Sequence, residues 1–378
     1  MATSKLFQPI QVGTVTLQHR VVMAPLTRYR GDSKHTPTDL AVEHYCARGS
    51  VPGTLLISEA TFIAHKASGE GFHTPGIWSD EQVAAWKKVT DAVHARGSFM
   101  YSQLWALGRT ASVEQLKKED PSFEYVSAGD VPLPRTSQQE EKSEDPPRPR
   151  PLTKAEIAEY VQIYATAARD AVERAGFDGV EIHGANGFLL DQFLKETSNN
   201  RTDEYGGSPE NNARFVLDVV AAVSAAVGEE RVGLRLSPWI TLFENPGNNP
   251  IPVFTYLVTE LHKRHPNFGY LHVVEPRVQG VIDRTFERES NDFLRTIWAG
   301  KRWISAGGFT RDNAIKQADK EGELIAFGRY FTSNPDLPVR LREDIPLTPY
   351  NRDVFYIEES SVGYNDYLPA HTSTSVAV

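Results

Sequence analysis

Cysteine is nearly missing from this chain. Cys46 is the only one in 378 residues, so no intrachain disulfide can form, and a reducing compartment suits the composition. Long apolar runs are missing too: none approaches the ~20 residues that a bilayer span needs. The start, "MATSKLFQPIQVG", has no apolar signal core, and the end, "STSVAV", carries no retention or peroxisomal address. A cytoplasmic protein is the expectation. Basic runs and stripes are absent, and the net charge is -9. That argues against nucleic acid or an anionic membrane as the main partner. There is no GxSxG elbow, no GxxxxGK[ST] loop, and no His/Asp/Glu/Cys set with metal-ligand spacing, so no metal is expected.

What is present alternates regularly. Eight short apolar runs each precede a longer amphipathic stretch: "RVVMAPLT" (20–27), "TLLISEAT" (54–61), "SFMYSQLW" (98–105), "GVEIHGAN" (179–186), "RVGLRLSP" (231–238), "YLHVVEPR" (270–277), "RWISAGGF" (302–309) and "LIAFGRYF" (324–331). Most are continuous rather than alternating, as in parallel strands covered on both faces. Helical stretches such as "SDEQVAAWKKVTDAVHARG" and "LTKAEIAEYVQIYATAARDAVERAG" lie between them. In the second, Thr153 and Glu156 have the spacing of a capping box, and Gly176 marks the stop. Eight strands alternating with helices predict an α/β fold, a single-domain (β/α)8 TIM barrel over 1–378. The lead-in "FQPIQVGTVTLQHR" reads as an N-terminal β-hairpin plug. A long insertion follows strand 3. Its part "TSQQEEKSEDPPRPRP" (136–151) reads as a mobile solvated loop, with a substrate lid as the sharper alternative. Residues 368–378 read as a disordered tail.

In a barrel, chemistry belongs at the C-terminal strand ends. Those ends carry Pro25, Leu26 and Thr27; Ala60; Gln103 and Trp105; His183 and Asn186; Arg235; Gly307 and Gly308; Gly328 and Arg329. Glycines after strands seven and eight let backbone N–H groups approach a phosphate. Arg235 is placed to hold negative charge on a ligand. Gln103 offers a donor and an acceptor to a planar heterocycle, or it is a satisfied core amide. His183 and Asn186 could donate to one oxygen, polarising a carbonyl. A satisfied structural histidine is the plainer reading of His183.

The stretches "MAPLTR", "PGIWS", "QLWALGR", "AGFDGVEIHGANGFLLDQFL", "NRTDEYGGSPEN", "FGRYF" with "NPDLP", and "YNRDVFY" occur in this order. Together they resemble the old yellow enzyme family of FMN-dependent ene-reductases, in its fungal type. The resemblance runs from "LFQPIQVG" to "GYNDYL". It implies tightly bound, non-covalent FMN, NADPH as hydride donor, and an α,β-unsaturated carbonyl substrate (an enal or enone). The protein would be a monomer or homodimer. By the family pattern Thr27 bonds the flavin C4 carbonyl, Gln103 its pyrimidine edge, and Arg235 sits near N1. Gly307, Gly308, Gly328 and Arg329 hold the phosphate, while Pro25, Leu26 and Ala60 lie close to the flavin. His183 and Asn186 grip the substrate carbonyl. Trp105, Phe243 with the following "ENPGNNP", and Tyr356 line the substrate pocket.

One departure bears on the chemistry. Most relatives carry a tyrosine two residues after the asparagine as proton donor; here it is Phe188. General acid catalysis is commonly worth ~10²–10⁴-fold, or roughly 3–5 kcal/mol of barrier. Its loss leaves reduction open, with Tyr356 or solvent as proton source. It also favours a redox-neutral isomerase or cyclase, since Phe at this position occurs in ergot-alkaloid-pathway relatives. Secondary metabolism is the implied setting. A third reading, a flavin-binding protein with decayed chemistry, is opposed by the retention of His183 and Asn186.

Overall fold

Each of the eight apolar runs forms a strand, and the eight strands close on themselves. The computed structural model describes residues 4–134, 146–241, 243, 249–279, 282–283 and 289–370. A hairpin of β1 (Ile10–Val12) and β2 (Val15–Leu17) comes first, followed by β3 (Val21–Met23), β4 (Leu55–Phe62) and β5 (Phe99–Trp105). The short strands β6 (Val126–Ser127) and β7 (Arg150–Pro151) pair with each other within the insertion. After them come β8 (Gly179–Gly184), β9 (Val232–Leu236) and β10 (Tyr270–Val274). A small ribbon, β11 (Val278–Gln279) with β12 (Ile282–Asp283), precedes β13 (Trp303–Ala306) and β14 (Leu324–Phe327). The closed barrel runs β3-β4-β5-β8-β9-β10-β13-β14 and back to β3. All its pairs are parallel, as expected when helices separate the strands.

Burial explains the continuous apolar runs. Every residue of β4, β8, β10, β13 and β14 is buried, because helices cover one face and barrel filling the other. The helix Lys154–Arg169 begins with the capping box: Thr153 Oγ1 accepts from Glu156 N and Glu156 Oε2 accepts from Thr153 N. The helix Asp80–His94 starts in the same way with Ser79 and Gln82. The hairpin residues Ile10, Val12, Val15 and Leu17 share one buried cluster with Val22, Leu55, Tyr101, Tyr270, Ile304 and Leu324 of the barrel strands.

Of the loop read over 136–151, Arg150 and Pro151 form β7, and 136–145 lie outside the described residues. Within the stretch 368–378, Leu368 O accepts from Arg340 Nη2 and Ala370 N donates to Asp336 Oδ2, while 371–378 lie outside the described residues. Among the described residues no helix is long and apolar enough to cross a membrane.

Candidate active site

The mouth of the barrel holds a cavity of about 600 Å³, within the usual range for cofactor and substrate sites. All the strand-end residues singled out from the sequence line it, and so do Trp105, Phe188, Phe243 and Tyr356. At β4 the register slips between Ile57 and Ala60, and this bulge sets Ala60 against Gln103.

His183 ends the apolar face of β8. Burial, then the positive charges of Arg235 and His272, pull its ring well below the ordinary histidine range, so it is a neutral imidazole. Its Nδ1 is buried without a partner among the described residues. Asn186 and Gly187 both take left-handed backbone, at φ of 59° and 79°. The turn is held by backbone anchors: Asn186 N donates to Ser237 Oγ at 2.7 Å and Gly187 N to Asp191 Oδ2 at 2.8 Å. A side chain at 187 would come within 3.0 Å of the Phe243 ring, so glycine is needed there for space as well as for φ.

Behind the turn, the helix Leu189–Leu194 is too short to persist alone and is wholly buried. Its Asp191 pairs with Lys195 at 2.8 Å with both side chains fully enclosed, and Lys195 Nζ also donates to Ile240 O. Gln192 Nε2 donates to Leu107 O and Gly187 O, and its Oε1 accepts from Arg109 N and Ser127 Oγ. Arg109 Nη2 reaches Phe243 O at 2.9 Å. The loops after β5, β8 and β9 are thereby one bonded unit.

Phe188 projects from this unit between Trp105 and His183, edge-on to both. Trp105 is stacked on Phe62 at 4.8 Å. Tyr356 is half exposed, with its ring 5.5 Å from that of Tyr29. Arg28 Nε and Arg30 Nη1 both donate to Phe355 O, which fixes this C-terminal segment over the cavity.

Beneath the floor lies a polar network. Glu181 Oε1 accepts from Gln103 Nε2 at 2.8 Å, and Oε2 from Tyr270 OH and His272 Nδ1 at 3.1 and 2.7 Å. Burial pushes this carboxyl up, but His272, Arg235 and Gln103 outweigh it and hold it below the usual range. Glu181 therefore orients the Gln103 amide through its NH₂. Arg235 gains the Glu181 charge, yet among the described residues its buried Nε has no hydrogen-bond partner.

At the far end Gly307 and Gly308 have φ of 116° and 59°, and a Cβ on Gly307 would sit 2.8 Å from Val278 Cγ2. Arg277 Nε holds Gly307 O at 2.5 Å. Arg329 Nη1 donates to Tyr350 OH at 3.1 Å, beside Gly328 on the helix Arg329–Ser333.

Sequence reading missed Glu181, Tyr270 and His272, whose polar positions are hidden in apolar runs. It also missed Tyr29 and Glu70, which lie on the cavity rim away from strand ends. The expected "ENPGNNP" lining falls, over 244–248, outside the described residues.

These residues fit a flavin mononucleotide. The orphaned Arg235 Nε and the oriented Gln103 amide suit an electron-rich planar ring, and the left-handed Gly307–Gly308 backbone suits a single phosphate. A barrel mouth so equipped is that of a flavin-dependent oxidoreductase. Residues 5–348 match the model of the NADH:flavin oxidoreductase / NADH oxidase family. The chain is 44% identical to an NADP-dependent oxidoreductase of Aspergillus flavus over 96% of each chain. It is 44% identical to the chanoclavine-I aldehyde reductase of Penicillium roqueforti, again over 96% of each. The crystal structure of Old Yellow Enzyme from a Pichia species superposes with a TM-score of 0.88 at 37% identity, covering 98% of this chain and 94% of that one. The chain belongs to the old yellow enzyme family, with fungal relatives.

Proposed function

We propose that this protein uses NADPH to reduce the C=C bond of α,β-unsaturated carbonyl compounds in secondary metabolism. The carrying observation is the pair His183 and Asn186. A neutral, buried imidazole and a turn-locked carboxamide stand over the cavity, and neither side chain is bonded to another described residue. Two such donors on one carbonyl oxygen withdraw electron density from the β-carbon and stabilise the developing enolate. A bound FMN supplies hydride transfer between nicotinamide and alkene. Thr27, Gln103 and Arg235 would hold its ring, with Pro25, Leu26 and Ala60 against it. Gly307, Gly308, Gly328 and Arg329 would hold its phosphate. Trp105, Phe188, Phe243 and Tyr356 would bound the substrate. The NADP-dependent relative supports NADPH over NADH, and the aldehyde reductase supports a conjugated aldehyde.

A second reading rests on Phe188. With no hydroxyl there to protonate the α-carbon, the enolate persists and hydride return, giving isomerisation without net reduction, competes. Product analysis with deuterated NADPH and a panel of enals separates the two. Reduction gives one NADPH consumed per product and deuterium on the β-carbon. Isomerisation gives product without stoichiometric NADPH consumption. A protein that turns over no alkene under either condition sinks both readings. Denaturation should release FMN and not FAD, since the mouth offers one phosphate site.

A further inference from the structure

Outside the cavity the fold gathers residues that lie far apart in the chain. His35 follows β3, His65 follows β4, and Glu119 ends the helix Val113–Glu119 after β5. Glu119 lies 84 residues from His35 and 54 from His65. Their ligand atoms nonetheless all lie within 4.8 Å of one another. Glu119 Oε2 is 3.1 Å from His35 Nε2 and 2.9 Å from His65 Nε2. None of the three lines the active-site cavity.

Hydrogen counting shows what the cluster needs. His35 Nδ1 is 2.6 Å from Thr74 O, and a carbonyl only accepts, so Nδ1 carries the ring hydrogen. In a neutral ring Nε2 is then a bare lone pair, facing a carboxylate oxygen that is also an acceptor. Two acceptors at this distance require a cation between them, either a proton or a metal ion. Four observations favour the metal. A second imidazole nitrogen converges on the same oxygen. The His35 Nδ1–H to carbonyl bond is the outer contact that orients metal-binding histidines. Gln115 Nε2 does the same for the carboxylate, donating to Glu119 Oε1 at 3.1 Å. His35 holds φ at 60°, a strained backbone for a non-glycine, maintained at a place where its ring must point inward.

We infer that His35, His65 and Glu119 form a binding site for a divalent transition cation, with Zn²⁺ the best match to two imidazoles and one carboxylate. At bond lengths of about 2.0–2.2 Å, tetrahedral ligands lie roughly 3.4 Å apart. The present separations are a few tenths shorter, an opening that side-chain rotation supplies. The side chains of His35 and Glu119 are 2% exposed and that of His65 is 40% exposed. The ion thus enters past His65, and a water completes the fourth position there. The site is structural, because it ties together the loops that follow the first, second and third barrel strands. Its neighbours carry the effect to the cavity: the His35 ring lies 5.8 Å from Phe62, which stacks on Trp105.

The test uses the cofactor-loaded protein, treated with chelator, desalted and titrated with ZnCl₂ by calorimetry. The expected result is saturable binding of one Zn²⁺ per chain and a raised melting temperature. His65→Ala and Glu119→Gln should each weaken binding at least about tenfold, the least that even loss of an outer partner costs. Both variants are checked for folding by far-UV circular dichroism and cofactor retention; half-exposed His65 makes its variant the safer one. His94, paired with Asp178 elsewhere on the surface, supplies the control His94→Ala, which should bind Zn²⁺ as the wild type does. Absence of saturable binding overturns the inference. So does equal affinity in the wild type, His65→Ala and Glu119→Gln, or loss of binding only in His94→Ala.

Discussion

The ring of Phe188 stands edge-on to the indole of Trp105, centroids 4.7 Å apart at 84°, and edge-on to His183 at 5.0 Å. Such pairs are worth about 0.5–1.5 kcal/mol beyond burial. The ring is thus held beside His183 and Asn186, at a position where it has no hydroxyl proton to give.

Phe188→Tyr should therefore speed the alkene-dependent half-reaction while leaving reduction by NADPH almost unchanged. A positioned acid is worth up to ~10²–10⁴-fold, less any cost of crowding. Stopped-flow measurement of the two half-reactions separates the cases. An unchanged alkene half-reaction would show that protons already arrive from elsewhere, and Tyr356→Phe then becomes the variant to make.

If His183 and Asn186 hold an oxyanion, a phenol should bind as its phenolate stacked on the flavin, and replacing either residue with Ala should weaken that binding by roughly 1.5–3 kcal/mol, the worth of a hydrogen bond to a charged group. Because burial keeps His183 neutral, affinity should strengthen as pH rises toward the phenol's own pKa and show no inflection from histidine. The long-wavelength charge-transfer band on titration reports both. An unchanged band in both variants would mean that the pair is structural.

Asp191→Asn leaves the Lys195 ammonium buried and unpaired, at a cost of roughly 3–5 kcal/mol. It also weakens the anchor on Gly187 N. Denaturant unfolding should show the loss of stability, and phenol affinity should fall while cofactor retention stays. Equal loss of both ligands would place the defect in the whole barrel rather than the turn.

Glu59 is buried at the β4 bulge, and burial pushes its carboxyl up to about 7 despite Arg28 N–H and the nearby guanidinium charges. An unfolded glutamate ionises near 4.5. Between these values the folded chain keeps a proton that the unfolded chain has released. Stability should therefore fall as pH rises through that window and level off above it. The shift amounts to roughly 3 kcal/mol. Denaturation of Glu59→Gln across this range should show the variant gaining about that much on the wild type at the alkaline end. Parallel profiles would mean that Arg28 and Arg30 keep the carboxylate ionised.

The barrel was legible because each strand is a short apolar block, and covering both faces of a sheet demands such blocks. The cavity residues were legible because a barrel places its chemistry at strand ends, where His183, Arg235 and Gly307 stand out. Glu181 was not legible. Its carboxylate sits in the middle of "GVEIHG", and only the closed barrel brings Gln103, Tyr270 and His272 around it. Asp191 and Lys195 did leave a signal: two charges at i and i+4 inside the apolar "LLDQFLK" mark a pair that must meet in the interior. His35, His65 and Glu119 left none, since loop geometry alone brings them together.

The hydrogen bonds that run from Gln192 to Arg109 and on to Phe243 bear on how this scaffold can change. A loop of different path imported alone after β9 would shift the main-chain carbonyl of residue 243 away from Arg109 Nη2, and the buried guanidinium would lose that partner. Swapping the loop after β5 would strip Gln192 in the same way. New specificities should therefore be transplanted as a cassette that carries all of these loops, and chimaeras cut between them should assemble poorly.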